Sequence, residues 1–290
     1  EWISEYNVQY FMGLDGLSLP LVVLTTLIGS IVTLASWNTK KNLKGYFALL
    51  LVMQSGLLGV FCALDFFLFF TFWMIALVPL YGLIGLWGQG ENESAALKGL
   101  LYLVSGSMVI LLVIMTFYFY SEPQNFNMVS LTQQDLHRDL LAEPWLRILC
   151  WFGLFLGIAI LTPIIPLHTW FIDAVTKAPL PISIWLVALT TKMGIYCLIR
   201  ISIPILPDIT GRFAWLIALL GVINILYGTL CAIGQKNLKR LLTYISMASI
   251  GFCFLGLATF TSEGLIGAVF HMFNHTIIGA VLFLIIGVLH

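Results

Sequence analysis

The sequence predicts an all-α polytopic membrane protein, on the evidence of its composition and the spacing of its apolar residues. Of the 290 residues, 60% are hydrophobic and only 9% are charged, whereas about 25% of the residues in a soluble domain are charged. The apolar residues are gathered into long stretches that approach or exceed the roughly 20 residues needed to cross a bilayer as a helix. The lipid bilayer is therefore the first partner that the sequence predicts.

Short polar segments divide the chain into nine such stretches, so we expect about nine transmembrane helices. The stretches cover residues 17–37, 46–63, 66–87, 97–120, 148–171, 180–200, 213–234, 240–259 and 264–288. The one long polar segment runs from Ser121 to Arg147. Its composition favours a solvated connector, and a short amphipathic surface helix is the alternative.

The distribution of basic residues predicts an orientation. One set of loops holds eight of them: Lys40, Lys41, Lys44, Lys98, Lys177, Lys236, Lys239 and Arg240. The other set holds four: Arg138, Arg147, Arg200 and Arg212. Because cytoplasmic loops are enriched in lysine and arginine, the first set predicts the cytoplasmic side and places residue 1 on the non-cytoplasmic side. Acidic and basic residues number 13 each, so no positive excess favours a nucleic-acid partner.

One predicted span contains two prolines. The stretch "LTPIIPLHTWFIDA" places Pro163 and Pro166 three residues apart, which should break the helix rather than bend it. Broken membrane helices occur where the freed backbone lines a cavity or meets neighbouring protein, often beside ion sites in transporters. His168 follows the break, and the sequence leaves open whether it transfers protons or is a hydrogen-bonded packing residue.

A lysine lies inside another span. Lys192 stands near the middle of "WLVALTTKMGIYCLIR", where a charge costs about 2.5–3.5 kcal/mol on insertion scales. Burial disfavours the charged form of a lysine, so this side chain is suited to exchanging a proton. A structural ion pair is the alternative, whereas the apolar residues on both sides argue against a lysine that extends to the membrane surface.

Two histidines in the last span complete the candidates found from the residues. His271 and His275 are four residues apart and should share one helical face, as a proton path or as packing residues. A haem or metal pair is a weaker interpretation, since no third ligand is evident. Lys98 lies near a helix end and could simply extend to the membrane surface. The chain has no flavin, nicotinamide or iron–sulfur motif and its five cysteines include no CxxC, so we expect no cofactor in it.

Several long motifs occur in a characteristic order: "YFMGLDGLSLPLVVLTT", "FFLFFTFWMIALVPLYGLIGLWG", "PLHTWFIDA", "TTKMGIYCLIR", "QKNLKRLLTYISMASIGF" and "GAVFHMFNHTIIGAVLF". Together they resemble chain 4 of respiratory complex I, above all the form in cyanobacterial and chloroplast NAD(P)H-quinone oxidoreductases. The resemblance implies an antiporter-like fold of fourteen helices with two inverted five-helix repeats. Residues 1–290 would be a single membrane domain supplying the third to eleventh helices, either as a fragment or as a divergent paralogue.

The resemblance also implies a function. Such a chain is a membrane-arm, proton-translocating subunit of an NAD(P)H- or ferredoxin-driven quinone oxidoreductase. It is part of an enzyme but holds no redox centre, and its partners are the other membrane-arm subunits. The family's relay residues match Lys192, His275, His168 and Lys98, and Asp173 matches a further family position. His271 remains a secondary candidate from its spacing alone.

Four positions depart from the family pattern. The glutamate five residues before Pro79 is Met74, and the lysine two residues before the first proline of the break is Leu161. The histidine of "SHMG" is Ser249, and the proline of "WLPDA" is Ile172. Without the glutamate and the second lysine, we expect Lys192 to lack a partner. The alternatives are therefore a non-pumping structural paralogue, or a subunit of a multisubunit Na⁺/H⁺ antiporter or a membrane-bound hydrogenase.

Overall fold

The computed structural model describes residues 2–133 and 144–289, and within them the chain is built almost entirely of helices. The predicted all-α membrane architecture is confirmed, because these residues include nine helices long and apolar enough to cross a membrane. The crossing helices are α1 (Ser18–Ala35), α2 (Leu43–Cys62), α3 (Phe66–Trp87), α4 (Asn92–Tyr120), α6 (Pro144–Leu161), α8 (Leu180–Ile205), α10 (Ala214–Ile233), α11 (Leu238–Ala258) and α12 (Ser262–Leu289).

Three shorter helices lie between them: α5 (Met128–Gln133), α7 (Thr169–Lys177) and α9 (Pro207–Arg212). The break predicted at Pro163 and Pro166 is confirmed, since α6 ends at Leu161 and α7 begins at Thr169. The span expected over residues 148–171 is therefore two helices joined by an irregular segment. Of the long polar connector, α5 is described, whereas the rest of its possible surface helix and Arg138 lie outside the described residues.

Polar side chains cap the starts of some of the spans, among them α3 and α11. The Asp65 carboxylate accepts hydrogen bonds from the backbone N–H groups of Phe67 and Leu68, at 2.9 and 3.1 Å, and so caps α3. The Asn237 side chain caps α11 in the same way by accepting from the Arg240 N–H at 3.1 Å. At these two starts, polar residues that separate apolar stretches in the sequence satisfy exposed backbone donors of the helix N-terminus.

Helix α8 is the centre of the molecule. Its membrane-spanning window is 100% buried, whereas the corresponding window of α10 is only 28% buried and presents most of its surface outward. Helix α8 is packed against α1, α2, α6 and α12. A polar side chain on α8 is therefore shielded from lipid by other helices on every side, which is where a membrane protein can hold a charge-bearing group.

Helices α10 and α11 form a tight pair because glycines meet at their contact. A Cβ atom on Gly221 would lie 2.9 Å from the Gly251 carbonyl oxygen, and one on Gly251 would lie 2.5 Å from the Gly221 oxygen. Small residues of this kind let two membrane helices approach closely without steric conflict. The pair supports one side of the break between α6 and α7.

The loops of the eight predicted cytoplasmic basic residues meet at one end of the bundle, which we call the basic face. There the Gln89 N–H donates to the Lys177 carbonyl at 2.8 Å, and the Lys239 ammonium donates to the Ala178 carbonyl at 2.9 Å. The Lys41 ammonium likewise donates to a carbonyl at the end of α3, at 2.8 Å. Lysines from separate loops thus lie close together, as the orientation argument requires.

The other end of the bundle, the opposite face, carries arginines that are paired with carboxylates. The Arg200 guanidinium donates to Asp15 at 2.5 Å, and Arg147 forms an ion pair with Asp208. Residue 1 itself lies outside the described residues.

Candidate functional site

Lys192 is 1% exposed and lies on the central helix α8. Its Nζ atom is 2.6 Å from Nδ1 of His275 on α12 and donates to the Val187 carbonyl at 2.8 Å. The Thr191 hydroxyl lies 3.4 Å away. The expectation that Lys192 lacks a partner was wrong, because the last span, 83 positions further along the chain, supplies an imidazole in place of a carboxylate.

A π-helical turn shapes this site. Residues Leu186–Thr190 of α8 are π-helical, a rare geometry that is frequent at functional sites because it disturbs the regular pattern of backbone bonds. Two carbonyls of this turn accept bonds from side chains. Val187 accepts from Lys192, and Ala188 accepts from the Thr276 hydroxyl at 2.9 Å. The turn therefore provides oxygen atoms that stabilise an ammonium group and hold α12 against α8.

The distance between Lys192 and His275 limits how the pair can be protonated. At 2.6 Å one nitrogen must donate and the other must accept, so a single hydrogen lies between them. Lys192 can hold it as an ammonium facing a neutral imidazole, or His275 can hold it facing a neutral amine. Among residues 2–133 and 144–289, no carboxylate forms an ion pair with Lys192. The pair is thus a proton-sharing unit without a counter-ion.

His271 extends this unit towards a cavity. Its ring is 6.3 Å from the His275 ring, centroid to centroid, with an angle of 25° between the two planes. The shared helical face predicted for the two histidines is confirmed, since both border a cavity of about 250 Å³ between α8, α11 and α12, which we call the inner cavity. Ser246, Ser249 and Asn274 contribute the other polar groups of its wall. The cavity is large enough to hold several water molecules.

Two polar atoms at this cavity lack a protein partner. Among the described residues, neither Nε2 of His271 nor the hydroxyl oxygen of Ser246 has a hydrogen bond, although both atoms are buried. A buried polar group left unpaired costs about 1–3 kcal/mol, and ordered water is the usual remedy. The chemistry of the wall therefore favours water in contact with both histidines.

Lys98 and Asp173 form a second polar unit that the sequence did not link. The Lys98 ammonium on α4 lies 2.7 Å from the Asp173 carboxylate on α7, and their side chains are 37% and 38% exposed. Neither makes a hydrogen bond to Lys192 or His275. Lys98 is thus a partly exposed lysine that forms an ion pair with a carboxylate and links α7 to α4.

His168 lies in the segment between α6 and α7, apart from both units. Its ring meets the Tyr227 ring edge-on at 5.2 Å. Its Nδ1 atom is buried and, within the described part of the chain, has no hydrogen-bond partner. The structure therefore places the six predicted residues in three separate positions rather than in one row of contacts.

Asn224 is a functional candidate that the sequence analysis missed. This α10 residue is 1% exposed, and its carbonyl oxygen accepts from the Ile165 N–H in the helix break at 3.0 Å. Its amide group donates to the Met247 carbonyl of α11 at 3.2 Å. One side chain thus holds the broken segment and α11 together. The sequence feature that could have identified Asn224 is that it is a single asparagine within the apolar stretch "GVINILYG".

The two positions that depart most from the family pattern are filled by apolar packing. Leu161 is 2% exposed at the end of α6, and Met74 is partly buried against the hydrophobic core. Beside Met74, the Trp73 indole donates to the Ser107 hydroxyl at 2.8 Å. The surroundings of Met74 and Leu161 are therefore mostly apolar and contain few groups that could carry a proton.

Comparison with known proteins gives the family. Residues 63–290 match the model of the NADH:quinone oxidoreductase/Mrp antiporter transmembrane family, and residues 2–71 match the amino terminus of NADH-ubiquinone oxidoreductase chain 4. Over 99% of its length, the chain is 43% identical to NAD(P)H-quinone oxidoreductase chain 4 1 of Picosynechococcus sp. and 38% identical to chain 4 of Gloeobacter violaceus. It spans 53% of the length of each of these relatives.

Solved structures show the same fold. A chain of respiratory complex I from Thermus thermophilus superimposes with a TM-score of 0.86 at 26% identity, over 99% of this chain and 60% of that one. A chain of the Mrp complex from Dietzia sp. gives 0.75 at 24% identity, over 99% and 55% of the two chains. The antiporter-like fold and the resemblance stated from the motifs are both confirmed. The chain belongs to the NADH:quinone oxidoreductase/Mrp antiporter transmembrane family.

Proposed function

We propose that this chain is the proton-translocating part of a membrane-arm subunit in an NAD(P)H- or ferredoxin-driven quinone oxidoreductase. The observation that carries the proposal is the buried Lys192–His275 pair on the central helix, which shares one proton beside a cavity with polar walls. The chain 4 relatives point to the kind of complex. The other membrane-arm subunits and the lipid bilayer are the partners. Electron transfer takes place elsewhere in the complex, and we expect no cofactor in this chain.

The proposed chemistry is a proton transfer along the pair. The Lys192 ammonium gives its hydrogen to Nδ1 of His275, which leaves a neutral amine still near Thr191 and an imidazolium at the cavity. The imidazolium then releases a proton from its other ring nitrogen to cavity water or to His271. The Val187 carbonyl stabilises the ammonium whenever Lys192 takes up the next proton.

The remaining residues have separate proposed roles. His168, in the helix break, passes protons through water, and Lys98 with Asp173 forms a relay point near the basic face. We assign the basic face to the cytoplasm or its equivalent, and residue 1 to the non-cytoplasmic side, on the positive-inside rule. We treat residues 1–290 as a single membrane domain of the subunit.

A comparison of proton uptake in proteoliposomes tests this proposal. The full-length subunit is assembled in its complex, as wild type, as Lys192→Met, and as Lys44→Met, which removes an exposed lysine of the basic face. We expect Lys192→Met to abolish the proton uptake that this subunit contributes, and Lys44→Met to leave it unchanged. Quinone reduction is recorded in the same vesicles, so that loss of assembly is recognised. Unchanged uptake in Lys192→Met would contradict the proposal.

The second candidate is a structural paralogue that no longer pumps, and Met74 and Leu161 favour it. Under this hypothesis the Lys192–His275 pair only joins α8 to α12, and neither Lys192→Met nor His275→Gln changes proton uptake. Combining Met74→Glu with Leu161→Lys in an otherwise silent complex would then create proton movement. The candidate is excluded if the wild-type complex already depends on Lys192.

A further inference from the structure

A second cavity lies in line with the inner cavity along the groove between α11 and α12. This outer cavity, of about 700 Å³, opens at the basic face, and its polar wall includes Gln89, Thr176, Lys236, Asn237 and Lys239. Ile286 and Gly287 of α12 line it on the other side. Water from the basic face therefore has a polar entrance at the start of α11.

The spacing of the lining residues shows that both cavities belong to one groove. On α11, Leu238 and Lys239 border the outer cavity, and Leu242, Ser246 and Ser249 border the inner one. Intervals of three to four residues place these side chains on one face of the helix. On α12 the inner cavity is lined at intervals of three to four residues from His271 to Phe283, and the outer cavity at Ile286 and Gly287. On both helices an interval of three residues, about 4.5 Å, separates the two linings.

A layer of apolar side chains separates the two cavities. Leu242 of α11 and Leu282 and Phe283 of α12 form the end of the inner cavity that faces the outer one. Phe283 is completely buried. Apolar constrictions of this kind interrupt a column of water by dewetting and open when a side chain moves.

We propose that the α11–α12 groove is the water route from the basic face to His275, and that Leu242, Leu282 and Phe283 are its gate. The unpaired hydroxyl of Ser246 and Nε2 of His271 supply the polar lining on the inner side of the gate. Lys236 and Lys239 mark its entrance. The inference deepens the proposed function and rests on it, because it assigns the face of the protein with which the Lys192–His275 pair exchanges protons.

Accessibility of introduced cysteines tests the route without any turnover. A charged methanethiosulfonate is added from the basic face to membranes with the assembled complex, and modification is quantified by mass spectrometry of this chain's peptides. Leu238→Cys should react fastest, Ser246→Cys more slowly, and Ser246→Cys combined with Phe283→Ala about tenfold faster than Ser246→Cys alone, because the gate is removed. Ser246→Cys changes only one atom, so assembly should be preserved.

The matched control is Leu226→Cys. Leu226 is exposed on the outside of α10, close to the level at which Gly228 packs against Ala248. A thiol there faces lipid and should not react. The route is overturned if Ser246→Cys stays unreactive even with Phe283→Ala, or reacts only with reagent added from the opposite face.

Proton uptake then tests the role of the route. Leu242→Trp should block the groove and lower proton uptake about tenfold, whereas Leu226→Trp, the same change on the lipid side, should not. Unchanged proton uptake in Leu242→Trp would contradict the assignment of Leu242 to the gate. A complex that labels as expected but never moves protons would overturn the proposed function and the proton role of the groove, while the labelling would still show a water route. The two failures are therefore distinguishable.

Discussion

Lys192 and Lys98 are the same residue type in two different environments. Lys192 is 1% exposed and faces an imidazole and a backbone carbonyl, whereas the Lys98 side chain is 37% exposed and faces a carboxylate. The ion pair of Lys98 with Asp173 joins α4 to α7. The imidazole can take the proton from Lys192, so that pair can change its protonation state. The partner therefore determines what each lysine can do.

The difference also bears on the apolar residues at positions 74 and 161. A buried lysine that had to remain charged would need a carboxylate nearby, because an unpaired buried charge is strongly destabilising. Lys192 instead has His275 and the Val187 carbonyl as hydrogen-bond partners, at 2.6 and 2.8 Å. Met74 and Leu161 can therefore be tolerated without leaving Lys192 isolated.

The largest effect should follow from removing the partner of Lys192. His275→Leu leaves the amine with Val187 and Thr191 alone and should lower the free energy of unfolding by about 1–3 kcal/mol, with loss of proton uptake. His275→Gln retains a hydrogen-bonding group but cannot carry a proton. It should keep most of the stability and still abolish uptake. Thermal denaturation of the assembled complex measures the stability, and proteoliposome assays measure the proton uptake. Normal proton uptake in His275→Gln would contradict the proposed difference between Lys192 and Lys98.

A smaller effect on proton uptake is expected at a buried polar residue that carries no charge. Asn224→Leu leaves the Ile165 N–H and the Met247 carbonyl unpaired, which should destabilise the folded chain by about 1–3 kcal/mol. Proton uptake per assembled complex should fall less than in His275→Gln, because no proton-sharing atom is removed. Asn224→Asp, which keeps the acceptor for Ile165, is the control. Equal stability of Asn224→Leu and wild type would show that the break does not depend on this contact.

A small effect is expected at the exposed pair. Lys98→Met should change the free energy of unfolding by less than about 1 kcal/mol, because partly exposed ion pairs contribute little. Proton uptake should be slowed but not abolished. A double-mutant cycle with Asp173→Asn gives the coupling energy between the two side chains. A loss of uptake as complete as that of Lys192→Met would contradict the distinction between the two lysines.

The smallest effect concerns pH at the opposite face. Burial acts to raise the pKa of Asp15, but hydrogen bonds from Ser18 and the charge of Arg200 outweigh it and lower the pKa below its usual value. The folded chain therefore holds this proton less tightly than the unfolded chain, so the contact contributes stability above about pH 4 and loses it as the pH falls through the lowered pKa. Asp15→Asn should remove this part of the acid sensitivity, as measured by denaturation between neutral and acid pH.

The sequence predicted the features that depend on local patterns. Apolar length gave the nine spans, the two prolines gave the break, and the spacing of His271 and His275 gave their common face. These predictions succeed because a membrane leaves a chain few ways to satisfy its backbone.

The sequence could not predict the contacts that join distant segments. Lys192 and His275 are 83 positions apart, and Lys98 and Asp173 are 75 positions apart. Neither pair has a spacing signal, because each depends on how helices pack. The π-helical turn before Lys192 likewise has no local sequence marker, although its carbonyls help to define the site.

The most direct test is the number of protons moved per electron, measured side by side in Lys192→Met and Lys98→Met. Both variants remove one lysine and are assembled in the full complex, with quinone reduction measured in the same vesicles. We predict that Lys192→Met lowers the ratio by the whole contribution of this subunit, and that Lys98→Met keeps the ratio while slowing the rate. Equal ratios in Lys192→Met and wild type, with electron transfer intact, would contradict a role for the Lys192–His275 pair in proton translocation.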